Sequence, residues 1–223
     1  MQITATLATL VSLALFSGAT RLPQTYSSFS EGAYEYDTLE LPARELPESG
    51  QIVFAPMEVN GDEYLGGDES VNAALFEEWK NQVVREHNAY RSHYGAASLT
   101  WSDALYPGTL QWAQQCKFQH SNGQGKYGEN LAAGTGASYG FTNGLKDWMN
   151  EASKYDYSRP GTSKGTGHFT QVVWKSSKQV ACAVANCKAG TIFGQASKNI
   201  VCRYTPPGNF VGRYGDNVGR FTK

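Results

Sequence analysis

From Leu75 the chain alternates apolar and polar residues with a helical period, with Leu75, Trp79, Val83 and Tyr90 near one stripe and Lys80 and Arg91 away from it. This pattern predicts a first helix that stops at Gly95. A second helix is expected within LTWSDALYPGTLQWAQQCKF, with Ser102 as its cap, Pro107 and Gly108 marking where its regular part begins, and Trp112, Ala113 and Cys116 turned toward a core. In FTNGLKDWMNEASKYDY, Leu145, Trp148, Ala152 and Tyr155 recur every three or four residues and predict a third helix.

The period then falls to two. HFTQVVWK, KQVACAVANC and TIFGQASKNIVCRYT are rich in β-branched and aromatic residues, are bounded by turn-formers, and read as antiparallel strands. In the first of them His168, Thr170, Val172 and Trp174 share one face, while Phe169, Gln171 and Val173 share the other. Helices followed by strands predict an α+β domain whose helices cover the sheet.

Upstream of this domain the pattern changes. The apolar run from Leu7 to Phe16, followed by the small residues Ser17 and Ala19, is too short to span a bilayer and reads as a signal peptide over residues 1–19. Residues 20–74 carry eleven acidic side chains against two arginines and show no periodicity, so they read as a mobile acidic leader or propeptide. From Leu75 onward nine acidic residues face seventeen Lys and Arg, which hides a basic domain within a net charge of −1. Its bases are scattered through loops without a recognisable nucleic-acid module, so no nucleic-acid partner is expected.

Four cysteines, Cys116, Cys182, Cys187 and Cys202, all lie in the basic domain. An even number behind a signal peptide implies disulfides, an oxidising compartment and an extracellular protein, with three pairings open. No Cys-x-x-Cys or Walker lysine pattern occurs, which removes a zinc ribbon and a P-loop nucleotide site.

His87 and His93 lie six apart on the first helix, away from each other's face, and read as structural. His120 in CKFQHS and His168 in GHFTQVVW stand beside rigid elements. Glu129 sits among turn-forming glycines in YGENLAAG, and Glu151 follows the third helix's Trp148 by three residues. Two imidazoles offer nitrogen ligands for Zn²⁺, and carboxylates can orient a bound water or accept its proton. The same residues equally suit two hydrogen-bonded His–Glu supports, and spacing does not choose between these readings.

REHNAYRSH, LTW, CKFQHS, YGENLAAG, DWMNEASKYDY, GHFTQVVWKSSKQVACAV and YTPPGNFVG together resemble the CAP superfamily of cysteine-rich secretory proteins, antigen five and pathogenesis-related proteins, and YDYSRPG is most similar to secreted fungal members. The resemblance spans residues 75–215 and leaves 216–223 as a solvated tail. It implies a three-layer α-β-α sandwich around an antiparallel sheet. It also implies a cleft lined by His120, Glu129, Glu151 and His168, the histidines holding a divalent ion such as zinc. The disulfides it implies are Cys116–Cys182 and Cys187–Cys202.

Three functions are expected from it. One is binding of a sterol or other small lipid at an aromatic rim of Trp148, Tyr155, Tyr157 and the loop 159–167. Another is metal-assisted hydrolysis with Glu129 or Glu151 as base. The last is effector or signalling action on a host or cell-surface protein.

Overall fold

The structure, a computed structural model, describes residues 69–223. The expected signal peptide and nearly all of the expected acidic leader lie outside those residues. Helix α1 (Glu69–His93) leads into β1 (Thr100–Trp101), α2 (Tyr106–Gln114), β2 (Gly128–Thr135) and α3 (Phe141–Asn150). A 3₁₀ turn (Glu151–Lys154), α4 (Gly167–Val172), β3 (Gln179–Cys187), β4 (Ser197–Thr205) and α5 (Tyr214–Asn217) follow. The sheet order is β1-β3-β4-β2. Its three long strands are antiparallel, and β1 adds a short parallel pairing of Thr100 and Trp101 with Gln179 and Val180.

The domain is an α-β-α sandwich because side chains alternate across the sheet and both faces are covered. Ala132, Val180, Cys182, Ile200, Cys202 and Tyr204 join the core beneath α1, α3 and α4. Their odd-numbered neighbours Leu131, Ala183, Ala185 and Val201 pack with Ala113 of α2 on the other face. At Gly144, α3 lies so near the sheet that a Cβ would sit 3.0 Å from both Ala132 and Ile200 side chains.

Helix α1 begins upstream of Leu75 and ends as expected, with Gly95 at φ +63° and the Ala96 N–H reaching back to the Arg91 carbonyl. Its buried stripe differs from expectation. The residues wholly or nearly enclosed are Trp79, Val83, His87 and Arg91, four apart, so two polar residues continue the apolar line. The Arg91 guanidinium tolerates burial because it donates to four carbonyls, those of Ala97, Val172, Trp174 and Ser177, at 2.7–3.2 Å.

Four further expectations are corrected. Ser102 does not cap α2 through its side chain; its carbonyl accepts the Leu105 and Tyr106 N–H groups, and Pro107 sits in the opening turn of a helix that starts at Tyr106. HFTQVV forms α4 rather than a strand, with Thr170 and Val173 N–H groups bonded to the Thr166 and Phe169 carbonyls. Phe169, Thr170, Gln171 and Val172 are all buried, so the segment is enclosed on every side and its β-rich composition carries no facial pattern. YGENLAAG is not a glycine turn: Gly128 onward pairs residue by residue with β4. The tail is anchored to the domain although its last four residues stay exposed. Asn217 and Val218 are buried, Phe221 stacks on His93 at 5.2 Å, and the Thr222 N–H donates to the His93 carbonyl at 2.7 Å.

The disulfides are Cys116–Cys187 and Cys182–Cys202, which corrects the expected Cys116–Cys182 and Cys187–Cys202 pairing. Strand parity explains why. Cys187 shares its parity with Ala183 and Ala185, on the face that α2 covers, and Cys116 follows the end of α2. Cys182 points to the opposite face, where it stands directly across from Cys202 in the β3–β4 register.

Candidate functional site

Two His–Glu pairs meet at a cleft of about 310 Å³. Glu129, His120, Glu151, His168 and Asn130 line it together with the loop around Ser163–Gly167 and Asn209. The first pair comes from β2 and the segment after α2, which the Cys116–Cys187 bridge ties to the end of β3. The second comes from the turn after α3 and the start of α4.

Glu129 has its side chain only 5% exposed and every acceptor position occupied. Its Oε1 accepts from the Ser121 N–H at 2.8 Å and lies 3.1 Å from His120 Nδ1. Its Oε2 accepts from Ser121 Oγ at 2.5 Å and Arg203 Nε at 3.0 Å. Arg203 is the cross-strand register partner of Glu129, so sheet pairing alone sets the ion pair. Burial pushes the Glu129 carboxyl up, but the hydrogen bonds from His120, Ser121 and Arg203 outweigh it and hold the group below its usual range.

Glu151 is bound in the same manner. Its Oε1 lies 2.7 Å from His168 Nδ1, and its Oε2 accepts the backbone N–H groups of His168 and Phe169 at 2.9 and 3.1 Å. Here too burial raises the carboxyl, while the His168 ring and the two backbone donors bring it below its usual range. The second carboxylate thus closes the N-terminal turn of α4, and Arg91 closes the opposite end through the Val172 and Trp174 carbonyls.

A carboxylate accepts only, so in each neutral ring the proton sits on Nδ1 and the lone pair on Nε2. Neither Nε2 has a hydrogen-bond partner among the described residues. Two carboxylate-oriented imidazoles with open Nε2 atoms fit a borderline divalent ion such as Zn²⁺. The expected tetrad is therefore assembled, with the carboxylates as orienting groups and the histidines as the donors.

Another grouping brings ligand-type atoms of His87, Cys182 and Cys202 within 4.8 Å of one another. Both sulfurs are spent in the disulfide, and the His87 nitrogens face the Val83 carbonyl and the Tyr204 hydroxyl, so this group has no free donor.

The expected aromatic rim is corrected. Trp148 and Tyr155 are core residues. The Trp148 indole N–H donates to the Leu131 carbonyl at 2.9 Å and its ring lies parallel to His168 at 6.1 Å, while Tyr155 packs edge-on against Phe169. Tyr157 is partly buried beneath the Arg220 guanidinium. Residues that line or brace the cleft but were not anticipated are Asn130, Ser121, Arg203 and Asn209. Three of them stand inside the quoted motifs, Ser121 in CKFQHS, Asn130 in YGENLAAG and Asn209 in YTPPGNFVG, without being singled out; the Glu129–Arg203 pairing becomes visible once β2 is recognised as a strand.

Comparison with known proteins agrees with this architecture. The profile of the Cysteine-rich secretory protein family, CAP, matches residues 84–204. The chain is 40% identical over 144 residues to Protein PRY2 of Saccharomyces cerevisiae, a match covering 63% of this chain and 41% of the yeast protein. It is 31% identical over 206 residues to Fruiting body protein SC14 of Schizophyllum commune, covering 86% and 88% of the two chains. Among solved structures, that of NaASP2 with Zn²⁺ superposes with a TM-score of 0.51 at 19% identity, covering 65% of this chain and 86% of the other, and shares the fold. No helix among the described residues is long and apolar enough to cross a membrane. With the fold, both disulfides and the four cleft residues in place, the chain belongs to the CAP family of cysteine-rich secretory proteins.

Proposed function

We propose that this is a secreted binding protein whose cleft holds a divalent cation through Nε2 of His120 and of His168, with Glu129 and Glu151 fixing the two rings. The observation that carries the reading is the pair of Nδ1–carboxylate contacts at 3.1 and 2.7 Å, which leave both Nε2 atoms free. That a structure of the same fold is one with Zn²⁺ supports it. When bound, the ion supplies positive charge and open coordination positions for an oxygen or nitrogen donor of a partner molecule. A hydrolase would need one carboxylate free to take a proton from water. Glu129 already accepts from Ser121 and Arg203, and Glu151 from two backbone N–H groups, so both are committed to structure.

The test is calorimetric titration of the purified protein with Zn²⁺, alongside His120→Ala and His168→Ala. Loss of affinity in both variants is expected, and unchanged affinity in either would refute the ligand assignment. Recovery of the protein from culture medium with a trimmed N-terminus is expected for secretion; retention inside the cells would contradict it.

A second reading, contact with a sterol or other small lipid, is favoured by a different surface from the one expected. Phe210 and Val211 are 53% and 87% exposed and follow Asn209, which lines the cleft. Replacing both with serine should abolish sterol capture by the purified protein; capture that persists would remove this reading.

A further inference from the structure

Asn130 is one of the least exposed polar residues at the cleft, at 1% of its surface, and yet it lines it. Its amide nitrogen is fully used: Nδ2 donates to the His168 carbonyl at 3.0 Å and to the Tyr204 hydroxyl at 3.4 Å. Because a carbonyl oxygen can only accept, the NH₂ group must be the end that faces His168, which settles the orientation of the amide. Its Oδ1 is then left with no hydrogen-bond partner among the described residues. Asn130 lines the cleft, so this oxygen opens onto it and is free to meet a donor or a cation there.

The orientation is fixed from deep in the core. His87 Nδ1 faces the Val83 carbonyl at 2.8 Å and therefore carries the proton. Its Nε2 is then an acceptor and takes the Tyr204 O–H at 2.9 Å. The Tyr204 oxygen, having donated, accepts from Asn130 Nδ2. Each group in the chain can donate in only one direction, so the Asn130 amide has one arrangement. The neighbouring residue Glu129 points to the other face of the sheet, which is why adjacent positions on β2 serve the same cleft from opposite layers.

We infer that the Asn130 side-chain oxygen is a third protein donor atom of the cleft, turned toward a cation held by His120 and His168 and kept there by the buried Tyr204–His87 pair. The inference rests on the two-histidine reading and adds to it a neutral oxygen beside two nitrogens. Such a mixed set suits a borderline divalent ion and completes three protein ligands with a position left open.

The experiment is a Co²⁺ titration followed by visible absorption, repeated with Zn²⁺ by calorimetry, on the full protein and on Asn130→Ala, Asn130→Asp and Tyr204→Phe. Asn130→Ala should weaken both ions by about 10- to 100-fold and shift the cobalt band, because a protein donor is replaced by water. Asn130→Asp supplies an anionic oxygen at the same place and should bind more tightly than Asn130→Ala, which keeps the test decisive if the alanine variant does not fold. Tyr204→Phe retains the oxygen but frees the amide to turn, and should weaken binding less than Asn130→Ala.

Wild-type affinity and an unshifted cobalt band in Asn130→Ala would overturn this inference while leaving the two histidines as ligands. Weaker binding with an unshifted band would assign Asn130 a merely structural part and overturn it equally. Binding that survives His120→Ala and His168→Ala would refute the two-histidine reading first, and this inference with it.

Discussion

Glu151 and His168 are joined twice: the Glu151 carboxylate meets the His168 ring Nδ1 at 2.7 Å and accepts that residue's own backbone N–H at 2.9 Å. One side chain thus sets both the direction of the imidazole and the start of the helix that carries it. Glu151→Gln keeps the shape but loses the charge-assisted bonds, and we expect a stability loss of about 1–3 kcal/mol in urea unfolding. Cation affinity should fall by about 10- to 100-fold in the same variant. A variant as stable and as tightly binding as the wild type would show that the two contacts carry no energy.

Arg91→Met is expected to be more damaging than its place on a charged helix suggests. The guanidinium serves four carbonyls on three segments, and no water can replace it at full burial. The expected loss is about 3 kcal/mol or more, with Arg91→Lys intermediate because an ammonium has three donors and no planar fork. A change below about 1 kcal/mol in denaturant midpoint analysis would contradict this.

The protein should lose stability on acidification in two stages. Burial, aided by the Arg91 charge and opposed by the Val83 hydrogen bond, lowers His87 from 6.5 to about 4. Between those values the unfolded chain binds a proton that the folded chain does not, so stability rises with pH across the window and about 3 kcal/mol disappears on descending it. Glu129 and Glu151 are held below their ordinary 4.5, so their contribution is present above that value and is lost as pH falls through their folded values. Urea titrations at pH 7, 5.5 and 4.5 measure the first stage, and His87→Gln should flatten it; an unchanged slope in that variant would exclude His87 as its source.

Non-reducing peptide mapping should recover Cys116 linked to Cys187 and Cys182 linked to Cys202. In the chain-entropy description, loops of 71 and 20 residues make these bridges worth about 4 and about 3 kcal/mol. Removing Cys116–Cys187 with serines should increase hydrogen exchange around His120 more than around His168, since only the first segment is tied by that bridge. Equal exchange at both would separate the disulfide from the cleft.

Gly219→Ala tests the anchored tail. A Cβ there would collide with the Tyr94 carbonyl oxygen, so the residues after Val218 should detach and be trimmed by carboxypeptidase faster than in the wild type. Equal trimming would mean that the tail is already loose.

Much of this molecule is readable along the chain. The helical period of α1, its stop at Gly95, the third helix and the two strands around Cys182 and Cys202 follow from periodicity and turn residues, while the exact buried stripe of α1 does not. The pair of histidines and the pair of glutamates are legible as chemistry, and the motifs that carry them identify the family. The errors share a cause. His168 sits in a segment whose local preference is for strand, yet it is helical because a carboxylate 17 residues earlier takes up the N–H groups of its first turn and the surrounding core encloses the rest. Glu129 lies among Gly and Ala, which have little liking for strands, yet it is a strand residue because β4 offers an unbroken edge to pair with.

The amino-acid order by itself determined which segments are amphipathic, where they stop, and that two imidazoles, two carboxylates and an even set of thiols are on hand. It left undecided which cysteines join, on which side of the sheet each strand residue points, and that Asn130 and Glu129, neighbours in sequence, reach the cleft from opposite layers. Those outcomes depend on which helix covers which face. That choice is made by packing between residues far apart in the chain, so only the tertiary structure contains it.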